Sequence, residues 1–241
     1  MPPFRRYAVY VLPDPARASW ARFAAAWLGR DILKDVSLAH PDCPGLPWPP
    51  AEITARPRRY GLHATIKAPF RPAPGVDEAT LCADLRALAA RLAPVGVPGL
   101  RLAPLGRFLA LVPGPGDGTQ ATALSDLAAE VVRGLDHLRA PEDAADLARR
   151  RGAGLDARGE ELLQRWGYPH VMERFRFHIT LTGRLARGDL AAVHEVLAAR
   201  LGPLLPAGFT VDTLWLLGED DAGLFHPVCP APLGRPRASV D

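Results

Sequence analysis

Two short segments with the same alternation constrain the fold of this chain more than any other feature. In Tyr60-Gly61-Leu62-His63-Ala64-Thr65-Ile66-Lys67-Ala68, extended geometry sends Leu62, Ala64 and Ile66 to one face and His63, Thr65 and Lys67 to the other. In Phe175-Arg176-Phe177-His178-Ile179-Thr180-Leu181-Thr182, Phe175, Phe177, Ile179 and Leu181 share one face, and Arg176, His178, Thr180 and Thr182 share the opposite one. A period of two with one apolar face predicts a strand covered on one side only. The chain therefore needs a sheet with a core on one face and a polar row on the other.

Length and composition set the limits around these strands. At 241 residues the chain can bury a sizeable core, and it is read as a single bilobal domain over 1–241. The lobes are built around the motif strands 60–68 and 174–183, and 229–241 reads as a tail. No run of about 18 apolar residues occurs, so neither a membrane span nor membrane attachment is expected. The opening Met1-Pro2-Pro3-Phe4-Arg5-Arg6 lacks the apolar core of a secretion signal, and a cytoplasmic location follows as an expectation. Cys43, Cys82 and Cys229 have no paired spacing, which argues against a disulfide framework or a structural zinc site. The net charge of +3 comes with only two lysines, Lys34 and Lys67, and without a long basic cluster, so it is a weak pointer to nucleic acid.

Along the chain, Arg6 to Leu12 predicts a strand stopped by Pro13, and Asp14-Pro15 opens a helix to about Leu28. The prolines from 41 to 57 mark a loop. Asp77 and Glu78 begin a helix to about Leu92, with Leu81, Leu85, Leu88 and Leu92 at helical spacing. Short strands near 99–105 and 107–112 turn at Gly106. Helices are predicted at about 120–138, twice within 141–166, and at 189–201. Strands at 209–217 and 223–228 close the order. Each half places one histidine strand before a helix and further strands, a weak internal duplication.

The polar rows suit phosphoryl chemistry. Histidine takes or gives a proton near neutral pH. Threonine offers a hydroxyl to a non-bridging oxygen, and Lys67 adds positive charge. Two histidines on either side of a phosphate supply the base and the acid of an in-line displacement. Of seven histidines, only His63 and His178 have a hydroxyl residue two positions later. Either motif alone is what a solvated sheet face with β-prone threonine gives; two copies, one per half, favour chemistry. As metal ligands they lack a carboxylate at ligand spacing. The loop 113–118 lacks the lysine and hydroxyl ending of a phosphate-binding loop. Tyr7 and Tyr10 point opposite ways, so at most one faces a cleft, and His170 reads as a loop residue.

HATIK and HITLT resemble the paired His-x-Thr signatures of the two-histidine phosphoesterase superfamily. RRYGLHATIKAPF, WGYPHVMERFRFHITLTGRL and the opening RRYAVYVLP are similar to a bacterial branch encoded with phosphonate-degradation genes. The resemblance implies an α+β fold of two pseudo-symmetric lobes, each a small antiparallel sheet backed by helices, around a central cleft. It implies catalysis without metal or other cofactor, with His63 and His178 catalytic and Thr65 and Thr180 binding phosphate. Lys67 and Thr182 extend the phosphate-binding rows. The implied substrate is a small cyclic phosphate ester of a ribose-containing or phosphonate-pathway molecule. An RNA 2′,3′-cyclic end, or binding of nucleotide or RNA without turnover, is the alternative.

Overall fold

A computed structural model describes residues 4–116, 118–152 and 154–234. Seven antiparallel strands form the central sheet: β1 (Arg6–Val11), β2 (Ala64–Phe70), β3 (Leu100–Leu105), β4 (Phe108–Pro113), β5 (Ile179–Thr180), β6 (Thr213–Glu219) and β7 (Phe225–Pro232), in the order β7-β6-β1-β2-β5-β4-β3. The order places a terminal half-sheet, β7-β6-β1-β2, beside a middle half-sheet, β5-β4-β3. They meet at one residue pair, Ala64 with Ile179. The α+β class and the antiparallel sheets backed by helices agree with the sequence reading. What the reading did not contain is that the half-sheets join at the two motif strands themselves.

One face of the sheet carries the core. Tyr7, Val9, Val11, Ala64, Ile66, Leu109, Leu111, Ile179 and Leu216 pack there under four helices, α1 (Ser19–Leu28), α2 (Glu78–Ala89), α3 (Thr119–Gly134) and α6 (Arg187–Leu201). Asp77 caps α2 by accepting the Thr80 N–H at 2.8 Å, and Leu81, Leu85 and Leu88 are its buried face. Trp27 of α1 is fully buried, and its indole N–H donates to the Leu181 carbonyl at 2.8 Å, tying the helix to the end of β5. The opposite face carries a smaller cluster of Ala8, Tyr10, Leu12, Ile32, Leu217 and Phe225. The two helices predicted within 141–166 are α4 (Ala144–Arg151) and α5 (Ala157–Trp166), capped by Asp143 and Asp156. They pack beside the far end of β2, where Arg150 donates to the Pro69 carbonyl at 3.2 Å. Among the described residues no helix is long and apolar enough to cross a membrane.

Several boundaries differ from the sequence reading. Asp14 does not cap α1; it accepts the Ala16 N–H at 2.8 Å in a local turn, and the helix begins at Ser19. Pro57–Tyr60 form a short 3-10 turn, so the first motif strand begins at Ala64 and runs past Pro69 to Phe70. The second motif strand is only Ile179–Thr180. The strand β7 continues through residues 229–232 of the expected tail, and 235–241 lie outside the described residues.

The cysteine reading is also corrected. Cys82 of α2 and Cys229 of β7 form a disulfide with Cα atoms 6.3 Å apart, closing a sequence separation of 147 residues, while Cys43 is free and buried. Spacing could not reveal the bond, because tertiary packing of α2 on β7 brings the two residues together. A loop this long constrains the unfolded chain strongly. Reduction is therefore expected to lower unfolding stability by about 2–5 kcal/mol. Urea titrations with and without dithiothreitol measure this; coincident curves would show that the bond adds nothing.

Candidate functional site

The pairing at the sheet's centre builds the site. With Ala64 opposite Ile179, the same antiparallel register sets His63 opposite Thr180 and Thr65 opposite His178. All four project from the face away from the helical core, since Ala64 and Ile179 belong to that core. His63 and His178 are then diagonal neighbours, at a spacing of about 7–8 Å between strands. That gap suits a tetrahedral phosphate held between two imidazoles.

The two rings are held in the same way. His63 Nδ1–H donates to the Gly61 carbonyl at 2.9 Å, and His178 Nδ1–H donates to the Arg176 carbonyl at 2.7 Å. A carbonyl can only accept, so in the neutral ring the proton sits on Nδ1 and Nε2 carries the free lone pair. Each motif thus fixes its own tautomer from a backbone group two residues upstream. Among the described residues, neither the Thr65 nor the Thr180 hydroxyl has a hydrogen-bond partner, and both residues are partly exposed.

The environments of the histidines differ. His63 is 8% exposed and lies under the Tyr10 ring, centroids 4.2 Å apart, with Tyr60 at 5.6 Å. Burial, opposed by the Gly61 hydrogen bond and aided by the charge of His178, pushes His63 down to about 4. His63 is therefore neutral at physiological pH. His178 is partly exposed, with Phe108 at 6.0 Å.

The third member of each row leaves the site. Lys67 does not line the cleft: one β2 residue, Ile66, is left over between the pairs Tyr10–Thr65 and Val9–Lys67, and this bulge sets Lys67 beside core-facing Val9. It is 3% exposed, donates to the Val132 carbonyl of α3 at 3.3 Å and lies 5.2 Å from the Phe70 ring centroid. Burial lowers Lys67 to about 8. Thr182 is likewise structural. It lies beyond the end of β5 and is 1% exposed; its hydroxyl donates to the Gly183 carbonyl at 2.8 Å and accepts the Leu109 N–H at 2.9 Å.

Arg58 is consumed by the backbone carbonyls of Leu28 and Ala51 and by the Thr54 hydroxyl. His170 is exposed, edge-on to Tyr168 at 5.5 Å. Burial lowers its pKa, followed by the charges of Arg174, His178 and Arg176. Residues the sequence reading passed over are Gly61, Tyr60 and Tyr168. Gly61 was legible in principle as a glycine two residues before the histidine. Its φ of +64° and ψ of −169° suit glycine alone, and a Cβ there would lie 2.5 Å from Ile32 Cβ. Among the described residues, no group of three His, Cys, Asp or Glu side chains is placed to hold one metal ion.

An antiparallel α+β sheet that presents two His-x-Thr segments on adjacent central strands defines the class. Residues 65–226 match the model of a family described as "Protein of unknown function (DUF1045)", and the chain belongs to that family. A Janthinobacterium sp. (strain Marseille) protein named "Ribose 1,5-bisphosphate phosphokinase PhnN" is 41% identical over 193 residues, covering 79% of this chain and 41% of its own. A protein of the same name from Laribacter hongkongensis (strain HLHK9) is 39% identical over 226 residues, covering 93% and 50%. The chain thus spans half or less of the length of these curated relatives. The solved structures titled "Crystal structure of phosphoesterase" and "Crystal structure of E.coli LigT complexed with ATP" are similar with a TM-score of 0.43 each, at 14% and 12% identity. Each likeness covers 96% of this chain and 99% of the other.

Two outcomes follow from the His63 environment. Gly61→Ala is expected to displace the anchoring carbonyl and to cost about 2 kcal/mol of stability through backbone strain, measured by thermal unfolding; an unchanged midpoint would remove Gly61 from the account. The second concerns pH. The folded pKa of His63 lies below its unfolded value of about 6.5, so the unfolded chain binds the proton first as pH falls. His63 therefore costs the fold stability between pH 6.5 and 4, approaching about 3 kcal/mol at the lower end. His63→Gln removes that dependence, and unfolding curves at pH 7 and pH 4 should converge on or cross those of the wild type. A stability difference that does not change with pH would contradict the burial of this ring.

Proposed function

We propose that this protein is a phosphoesterase that opens a small cyclic phosphodiester by acid–base catalysis between His63 and His178, without a metal ion. The observation that carries the reading is the pair of matched Nδ1 anchors on the residues that lead into paired strands, beside threonine hydroxyls that have no hydrogen-bond partner among the described residues. Such an arrangement has its acid–base atoms fixed before substrate arrives, which is what general acid–base catalysis needs.

The burial of His63 supports one division of roles. His63, held neutral, takes a proton from water at Nε2 as the water oxygen attacks phosphorus. The bond from phosphorus to one ring oxygen breaks, and protonated Nε2 of His178 gives its proton to that leaving oxygen. Thr65 and Thr180 donate to the non-bridging oxygens, where negative charge accumulates in the transition state. One water is consumed and a phosphate monoester remains.

The substrate class follows from the relatives. Their printed name is that of a kinase acting on ribose 1,5-bisphosphate, over chains about twice as long. Neither Lys34 nor Lys67 stands in the Gly-Lys-Ser/Thr context of a nucleotide phosphate-binding loop. We therefore assign that kinase activity to the part of the relatives beyond the match. This chain's share is the hydrolysis of a ribosyl cyclic phosphate, in the cytoplasm, and its product is a ribosyl phosphate of the kind such a kinase takes.

The test is a screen of ribosyl and nucleoside cyclic phosphates, with 2′,3′-cyclic RNA ends included, in the presence of EDTA. The wild type is expected to turn over a ribosyl cyclic phosphate with a bell-shaped pH profile, and His63→Ala and His178→Ala are each expected to lower kcat by about 10²–10⁴-fold. Loss of turnover on chelation, or full activity in either variant, would sink the mechanism. Preference for RNA ends would move the substrate but keep the chemistry.

A further inference from the structure

The 3-10 turn that carries Tyr60 and leads to Gly61 is held by a short ribbon, in which Arg30–Asp31 pairs antiparallel with Val36–Ser37. Arg30 is 7% exposed, and its guanidinium spans three partners. Nη1 donates to the Arg59 carbonyl at 3.1 Å, and Nη2 donates to the Phe225 carbonyl at 2.8 Å and to Asp35 Oδ1 at 2.5 Å. A bond also runs the other way, from Arg58 Nε to the Leu28 carbonyl at 3.1 Å, just before the ribbon. On the far side of Tyr60, Ile32 packs so close to Gly61 that a Cβ on the glycine would lie 2.5 Å from Ile32 Cβ. Arg59 and Gly61 flank Tyr60, so the ribbon fixes the chain on both sides of a residue that covers His63. Tyr60 is also stacked on Phe225, whose carbonyl Arg30 holds, with ring centroids 5.0 Å apart.

Arg30 is itself held by a chain of alternating charges. Asp35 stands in the ribbon's turn at φ +54°, a left-handed conformation that Asp and Asn tolerate better than other side chains. Its carboxylate accepts from Arg30 and, at 2.8 Å, from His226 Nδ1. His226 Nε2 donates in turn to Asp220 Oδ2 at 2.9 Å. An ionised carboxylate can only accept, so both ring nitrogens of His226 carry protons and the ring is cationic. Burial lowers its pKa, but the hydrogen bonds to Asp220 and Asp35 outweigh burial and raise it. Asp220, His226, Asp35 and Arg30 thus alternate in sign, from the turn between β6 and β7 to the turn that precedes His63. The planar fork of Arg30 then sets its carbonyl partners relative to that chain. A buried guanidinium that lost one of them would be left with an unpaired N–H, so the turn follows the ribbon.

We propose that Arg30 is a positioning residue for His63: by fixing the Arg59 carbonyl, with Asp35 and His226 behind it, it sets the Gly61 carbonyl that orients the His63 ring. The inference deepens the phosphoesterase reading and rests on it for its purpose, since a general base must hold its lone pair in place before substrate arrives. It also distinguishes the two histidines. His178 takes its anchor from the Arg176 carbonyl, and none of the three partners of Arg30 lies in that half of the sheet. Freeing the turn has two opposed effects on His63. A loosened Gly61 anchor lowers its affinity for a proton, and an uncovered ring raises it. Burial is the larger influence, so the net shift is upward.

Two measurements on the intact chain test it. In the first, nitrogen-15 NMR follows the tautomer and titration of both histidines in the wild type, in Arg30→Gln and in Asp35→Asn, the last of which suits the left-handed backbone at its position. The wild type is expected to carry the His63 proton on Nδ1 and to titrate that ring at about 4. Arg30→Gln is expected to mix the two tautomers of His63 and to raise its titration by about one unit or more, with His178 unchanged. Asp35→Asn is expected to act in the same direction, and it decides the question if Arg30→Gln does not fold. An unmoved His63 overturns the proposal, and so does an equal shift at both histidines, which general loosening of the fold would give. In the second, pH profiles are compared on the cyclic phosphate that the wild type hydrolyses best. Arg30→Gln is expected to lower kcat by about 10–100-fold, to leave KM within about two-fold and to move the acid limb upward with the NMR titration. A kcat and profile that match the wild type overturn it. If the wild type hydrolyses no cyclic phosphate, a shift confined to His63 in the NMR still supports the positioning role, and the phosphoesterase reading alone has failed.

Discussion

A single pair, Ala64 with Ile179, connects the terminal half of the sheet to the middle half. Everything at the site depends on it. The pair fixes which residues of β2 and β5 stand opposite each other, and a slip by one residue would send His63 and Thr65 into the helical core. The core side guards against such a slip, because Ala64, Ile66, Ile179 and Leu181 are buried there with Trp27 hydrogen-bonded to Leu181. Apolar packing on one face thereby holds polar geometry on the other. The energy that positions the histidines comes from residues buried in the apolar core.

The local part of this was legible in the sequence. Period-two alternation gave both motif strands, their core faces and the outward rows, and His63, Thr65, His178 and Thr180 are where parity puts them. Parity failed at Lys67 because the bulge at Ile66 arises from the pairing with β1, and a strand's own sequence carries no record of its partner's register. It failed at Thr182 because β5 ends two residues earlier, where the chain turns to bond with Leu109. The Cys82–Cys229 bond and the aromatic cover of His63 join residues far apart in the chain. Such contacts are products of the assembled fold and have no local signature. Pro57 and Gly61 did carry a signal: a proline able to start a helical turn and a glycine able to end it bracket Tyr60. Weighing those two against the β-propensity of Tyr60 would have moved the start of the strand.

The two motif rows differ in their third member, Lys67 in one and Thr182 in the other, but that difference does not reach the cleft. Both residues are buried and engaged elsewhere, so neither charges the cleft. The asymmetry lies in solvent access: His63 is sealed under Tyr10 while His178 is partly open. Two motifs that are alike in sequence, and anchored alike through Nδ1, differ in what covers them, and burial lowers the proton affinity of His63. Environment, more than residue type, separates the two rings.

The short β5 has a mechanical consequence. A sheet whose two halves share one rung is softest along that seam, and the seam runs between the two histidines. Small rotations of one half against the other would change the aperture between the imidazoles while leaving each imidazole locked to its own strand. The distance between the two rings is thus the part of the site freest to change, while the anchor that orients each ring is carried within its own half of the sheet.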